Sequence, residues 1–314
     1  MATLKHFILI SGVIFALFTQ SSLKAQSFSV ELLVQNQPPG KVFFGSVRGD
    51  EFVPIDTIVV SESTARIKFV FPENAKAGIY RINLGNNRYE QVMNKPNHLF
   101  DFIFDNEMLV FETDFEAVED KLNIKQSKEN MAWFNFRAKD KVLVRQVSEL
   151  ESEVDKCWKN SDTIKLETIA NEYNLKQMER DMFVVKASQE SRGLFASMLI
   201  KNQRLPMLDG FMSPEERINA FKSDYIKVLD FSSAALINSQ VYTDNIFNYL
   251  VRYNSPFLNQ KQRETEYIKA VDAIMNHVKQ NNEVRKFIKD YLLHGFEVLK
   301  MSTIITYINK KYPL

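Results

Sequence analysis

The chain has 314 residues, of which 45% are hydrophobic and 25% charged, with a formal net charge of +1. That composition is ordinary for a globular protein of one large or two average domains, and 25 phenylalanines supply ample core material. The charge balance argues against nucleic acid or an anionic membrane as partner, and one cysteine allows neither an internal disulfide nor a Cys-x-x-Cys pair.

Lys5 and His6 precede an apolar run, Phe7 to Phe18, and a polar stretch ending SSLKAQS. A short basic region, a brief apolar run and a small residue describe a secretory signal peptide. The run is shorter than the ~20 residues a bilayer span needs, so no retained transmembrane helix is expected. Cleavage after Ala25 would make Gln26 the mature start and send the chain to the periplasm or cell envelope.

From Phe28 to about Phe115 the period is two. Phe28, Val30, Leu32 and Val34 alternate with polar residues, QNQPPG makes a turn, and KVFFGSV and FVPIDTIVV read as further strands. The stretch DTIVVSESTARIKFVFP, Asp56 to Pro72, reads as a hairpin around a polar break. Ala65, Ile67, Phe69 and Phe71 share one face, expected inside. IYRINLG, HLFDFIFD and MLVFET complete the set. The expected fold class is α+β, with residues 26–117 an antiparallel β-sandwich and residues 118–314 an all-α helical domain.

The helical period begins with Met131, Phe134, Ala138 and Val142, and continues through Val147, Leu150, Val154 and Trp158 in one long helix. A second helix runs through Ile169, Tyr173, Met178, Met182 and Val185, and LFASMLIKN forms a short one. In SPEE, Ser213 is an N-cap, Pro214 the first helical residue and Glu216 the partner of a capping box. Further stripes run through Tyr242, Ile246, Tyr249 and Tyr253, then Tyr267, Val271, Ile274 and Val278. Val284, Phe287 and Tyr291 open the last long helix, and STIITYINKKY closes the chain.

Catalytic chemistry is sparse. His294 and Glu297 form an H-x-x-E pair, short of the three or four converging ligands zinc needs, and His98 and His277 stand alone. The acidic runs at Asp114–Asp120 and Glu149–Asp155 read as solvated charge. There is no phosphate-binding loop, dinucleotide fingerprint or nucleophile elbow, so no catalytic, cofactor or metal residue is expected. Cys157, beside Trp158, reads as a small apolar residue at a helix margin. The tripeptide Arg48-Gly49-Asp50 reads as a strand turn rather than an adhesion signal. Phe44, Tyr80 and Tyr89 read as sheet packing, with a ligand patch as the alternative.

The stretch from GKVFFGSV to GIYRINLG resembles the β-rich domain of unknown function that opens exported thioredoxin-fold proteins of the TlpA/ResA-like thiol–disulfide oxidoreductase type. The likeness rests on Asp56-Thr57, on Phe69 and Phe71, and on Gly78 and Tyr80. The helical half, through FSSAALINSQVYTDNIFNYLVRY and NNEVRKFIKDYLLHGFEVLKMSTIITYINKKY, resembles the linker domain that follows in such proteins. The resemblance implies a thioredoxin fold with Cys-x-x-Cys after these helices, whereas this sequence stops at Leu314, as a natural short form or a truncated frame would. The expectation is an exported, non-enzymatic recognition or scaffolding module of the envelope, with an unknown protein or envelope ligand as partner. The alternatives are the non-catalytic part of a thioredoxin-like reductase, and a glycan- or peptide-binding envelope protein.

Overall fold

The structure is a computed structural model and describes residues 27–313, so the expected signal peptide lies outside the described residues. The fold is α+β: two four-stranded sheets from the N-terminal half, then helices. One sheet has the order β4-β1-β7-β8, from β1 (Ser29–Gln35), β4 (Thr64–Val70), β7 (Leu109–Asp114) and β8 (Asn123–Gln126). The other has the order β3-β2-β5-β6, from β2 (Gly40–Arg48), β3 (Glu51–Val60), β5 (Gly78–Gly85) and β6 (His98–Phe104). The strands β1 and β7 pair in parallel, so the first sheet is mixed and not purely antiparallel as expected. A parallel pair needs a long connection, and here it contains the whole second sheet together with β4.

The hairpin expected at Asp56–Pro72 does not form. The strand β3 pairs with β2, and β4 pairs with β1 in the other sheet, so Ser61-Glu62-Ser63 crosses between sheets. The physical reason lies in β3, where Val60 alone is buried and Val59 is 75% exposed. Its register shifts opposite Phe44 and Gly45, and a Cβ on Gly45 would collide with the Val53 carbonyl, so the bulge requires glycine there. The strand β4 keeps strict alternation, with Ala65, Ile67 and Phe69 buried.

Residues of both sheets share one buried cluster. Phe44 stacks on Phe69 at 4.9 Å, Phe71 on Phe104 at 3.8 Å, and Tyr80 meets Phe71 edge-on at 5.0 Å. Such ring pairs add about 0.5–1.5 kcal/mol each beyond the burial of their area. Phe44 and Tyr80 are therefore core, and of the three aromatics considered as a ligand patch only Tyr89 is exposed, on α1 (Arg88–Val92).

The helical half begins with two long antiparallel partners, α2 (Lys128–Asn160) and α3 (Thr163–Glu190). The first half of the stripe expected on α2 is rotated, with Met131, Ala138 and Val142 exposed and Phe136, Asp140 and Leu143 buried. The second half packs as expected, with Val154 buried among Val147, Leu150 and Trp158. Likewise on α3, Met178 and Met182 face solvent and Arg180 and Val184 are buried. After α4 (Phe195–Lys201) comes α5 (Pro214–Val228), whose capping box forms as expected: Ser213 N donates to Glu216 Oε2 at 2.8 Å. The remaining helices, α6 (Val241–Val251), α7 (Gln260–His277), α8 (Asn282–Val298) and α9 (Ser302–Lys311), bury the tyrosine and aliphatic stripes that the spacing predicts. Among the described residues no helix is long and apolar enough to cross a membrane.

Candidate functional site

The sheets and helices share a junction. Val47, Ile79 and Ile103, on the outer face of the second sheet, belong to the hydrophobic cluster of the helices. The β2–β3 turn inserts there: Gly49, at φ 60°, donates its N–H to the Ile237 carbonyl at 3.0 Å, and the Arg48 guanidinium lies 5.6 Å from the Phe287 ring. The Arg48-Gly49-Asp50 tripeptide is thus a docked turn with its glycine buried. Beside it, β5 approaches the helices so closely that a Cβ on Gly78 would lie 2.6 Å from both Cβ and carbonyl oxygen of Asn238. Gly78→Ala is expected to cost about 1–3 kcal/mol through overpacking, read as a lower urea midpoint at unchanged slope.

The start of α2 holds the junction by polar bonds. Asn130 is fully buried; its Oδ1 accepts from Ile103 N at 2.8 Å and its Nδ2 donates to Ile103 O at 2.7 Å. The side-chain amide therefore stands where a neighbouring strand's peptide group would stand against β6. Ser127 caps the helix through Asn130 N and donates to Glu107. Glu129, also buried, accepts from Phe195 N at 2.9 Å and Ala196 N at 2.8 Å, tying α2 to the first turn of α4. Burial pushes the Glu129 carboxyl above its ordinary value, against the pull of those two amides.

Between these anchors opens a cleft of about 760 Å³. Its walls are α2 from Met131 to Lys141, the β7–β8 connection with the start of β8, the outer face of β6, and the start of α6. Phe134 packs against the cluster shared by the sheets, 6.3 Å from Phe100, and Arg137 spans from the Trp133 and Phe134 rings to Glu119 Oε1 at 2.9 Å. Asp101 is held bidentately by Arg81, at 2.6 and 2.7 Å, and accepts from Gln240 at 3.0 Å. Asp140 pairs with Arg180 across α2 and α3, both nearly buried. Asp244 reaches the cleft mouth with no ion-pair partner among the described residues. Partial burial, then the charges of Asp50 and Asp101, push its carboxyl up despite Arg81.

The residues carrying the family resemblance fall in three places. Phe69, Phe71 and Tyr80 meet in the core between the sheets. Gly78 lies at the junction, while Asp56 and Thr57 sit exposed on β3, the Asp56 carboxylate accepting from Thr57 N at 2.7 Å. Cys157 is buried, and His294 and Glu297 are exposed on α8. His98 meets Glu90 at 2.9 Å, a pair that links the first turn of α1 to β6, and His277 lies against Phe231. Among the described residues no three metal-ligating side chains converge.

The acidic runs are largely spent on ion pairs: Asp114 with Lys121, Asp155 with Arg217, and Glu153 with both Lys156 and Lys165. The two lysines pull the Glu153 carboxyl down to about 2 from 4.5. A lowered folded value means that the stabilisation is present above the ordinary value and disappears as pH falls through the lowered one. The advantage of the natural protein over Glu153→Gln is therefore expected to hold above about pH 4.5 and vanish towards pH 2. Thermal midpoints of the two proteins across that window check it.

Sequence reasoning missed Asn130, Glu129 and Asp140, because polar residues buried on a helix leave no trace in hydrophobic periodicity. The one available signal is Ser127 as an N-cap, which marks where the helix meets the sheet. No protein-family model, curated protein or solved structure matches this chain.

Proposed function

We propose that the chain is an exported, non-catalytic module of the cell envelope that serves recognition or scaffolding, built as a β-sandwich fused to a helical domain. The observation that carries this reading is the junction cleft. It is formed by both halves and walled by aromatic rings, and the carboxylates Asp101, Asp140 and Glu119 are already committed to arginines. Such a cleft suits binding, since ligand sites typically span about 300–1,000 Å³ with a few polar groups fixing orientation. Thiol–disulfide exchange needs an attacking and a resolving thiol, and Cys157, the one cysteine of the sequence, is 3% exposed. The resemblance to the non-catalytic part of TlpA-like proteins points to the same role.

Site-specific photo-crosslinking tests the reading. A photoreactive residue at Asn135, in the cleft wall, is expected to trap a defined envelope component in cells, and one at Lys261, exposed on α7, is not. Absence of any adduct at Asn135, or the same adducts at both positions, overturns it. A reporter fused to residues 1–30 that stays inside the cell removes the export part.

A further inference from the structure

The bonds of Asn130 fix which way the free main-chain groups of β6 point. Asn130 takes both N–H and C=O of Ile103, so these face away from β5, and Ile103 with Ile79 is a non-hydrogen-bonded pair of the ladder. Pair types alternate along an antiparallel ladder. Asp101 opposite Arg81 and Leu99 opposite Asn83 therefore also direct their N–H and C=O outward. Among the described residues no main-chain group bonds them. The strand β6 is the last of its sheet, and Asp101 lies in the cleft wall beneath α2. An unpaired strand edge is a template for another chain.

We propose that the cleft takes an extended peptide segment of a partner protein, carrying a basic side chain, which adds to β6 as a further strand. The inference rests on the recognition reading and names its ligand. The Asn130 amide already occupies the first peptide position of such a strand, and the segment continues from there past Asp101 to Leu99. Main-chain bonds of this kind give affinity while side-chain pockets give selectivity. The charge preference comes from Asp244, which has no ion-pair partner, with Asp50 close enough to add to its field. Arg81, whose charge also reaches Asp244, is occupied by Asp101. Trp133 supplies an apolar wall across the cleft.

Amide hydrogen exchange on residues 26–314 reads the edge directly, with a pool of capped peptides that alternate lysine with valine or threonine as the probe. In the free protein the Ile103 amide is expected to be protected, and those of Leu99 and Asp101 to exchange freely. An excess of the pool is expected to slow Leu99 and Asp101 at least tenfold. The same peptides N-methylated on alternate residues are expected to give no protection, because strand addition needs their N–H groups. Asp244→Asn is expected to weaken the lysine pool about fivefold and leave a matching glutamine pool unchanged. Unaltered exchange at Leu99 and Asp101, or equal protection by the N-methylated peptides, overturns the inference. Equal loss for both pools on Asp244→Asn overturns the basic side chain. Peptide protection confined to another surface defeats this inference and leaves the recognition reading standing, whereas that reading fails on its own if Asn135 traps nothing.

Discussion

Asp140→Ala is expected to destabilise the protein by about 3–5 kcal/mol, the cost of leaving a buried arginine without its counter-ion. Arg180 Nε lies 2.8 Å from Asp140 Oδ1, and the same guanidinium reaches Asp140 Oδ2 at 3.0 Å and the Gln203 carbonyl at 2.9 Å. Arg180 is 6% exposed, so water does not replace the lost carboxylate. Urea titration by circular dichroism measures the change. The pair as a whole contributes far less than its breakage suggests, because both groups were desolvated to form it. The double substitution Asp140→Leu with Arg180→Met is accordingly expected to recover most of the loss. A double variant as unstable as Asp140→Ala would show that the cost comes from packing and not from the bare charge.

Asn130→Ala is expected to cost about 2–4 kcal/mol, since it strips partners from two buried main-chain groups of Ile103 at once. An apolar side chain there offers neither donor nor acceptor, and the position is fully buried in the first turn of α2. The same substitution is expected to turn the Ile103 amide from slow to fast exchange, while amides in the centre of β1 keep their protection. If Ile103 stays protected in Asn130→Ala, the bond seen from the side chain is not what shields it. The loss should also exceed that of Ser127→Ala, whose hydroxyl caps one amide of α2.

The elements themselves were legible because each period has a plain physical meaning. Val30, Leu32 and Val34 alternate, and a strand with one buried face results; Tyr242, Ile246 and Tyr249 recur at helical spacing, and α6 buries them. What alternation cannot convey is the partner. The arms on either side of Ser61-Glu62-Ser63 share a pattern but lie in different sheets, because period two marks a face and says nothing about which edge meets which. The strand β8, NIKQ, escaped notice because Asn123, Lys125 and Gln126 are exposed at a sheet edge and Ile124 alone packs inward. Glycines tell a similar story. Gly78 stood out through resemblance, but its reason is the backbone of Asn238, far along the chain, pressed against it. The junction was the least legible part, since its anchors Asn130, Glu129 and Asp140 are polar residues in buried places, chosen by main-chain groups they meet only after folding.

The strand β1 lies between β4 and β7, paired with both. Its second partner begins at Leu109, so a growing chain carries its first strand half-satisfied until some eighty residues more have followed, a closure that costs entropy before it returns any contact. Contacts so distant in sequence slow folding, and they make it all-or-none for the sheet they complete. A fragment cut before Leu109 is thus a different object from the N-terminal part of this protein: it keeps β1 and β4 but exposes the flank of β1, where hydrogen-bonding groups wait for a strand that never arrives.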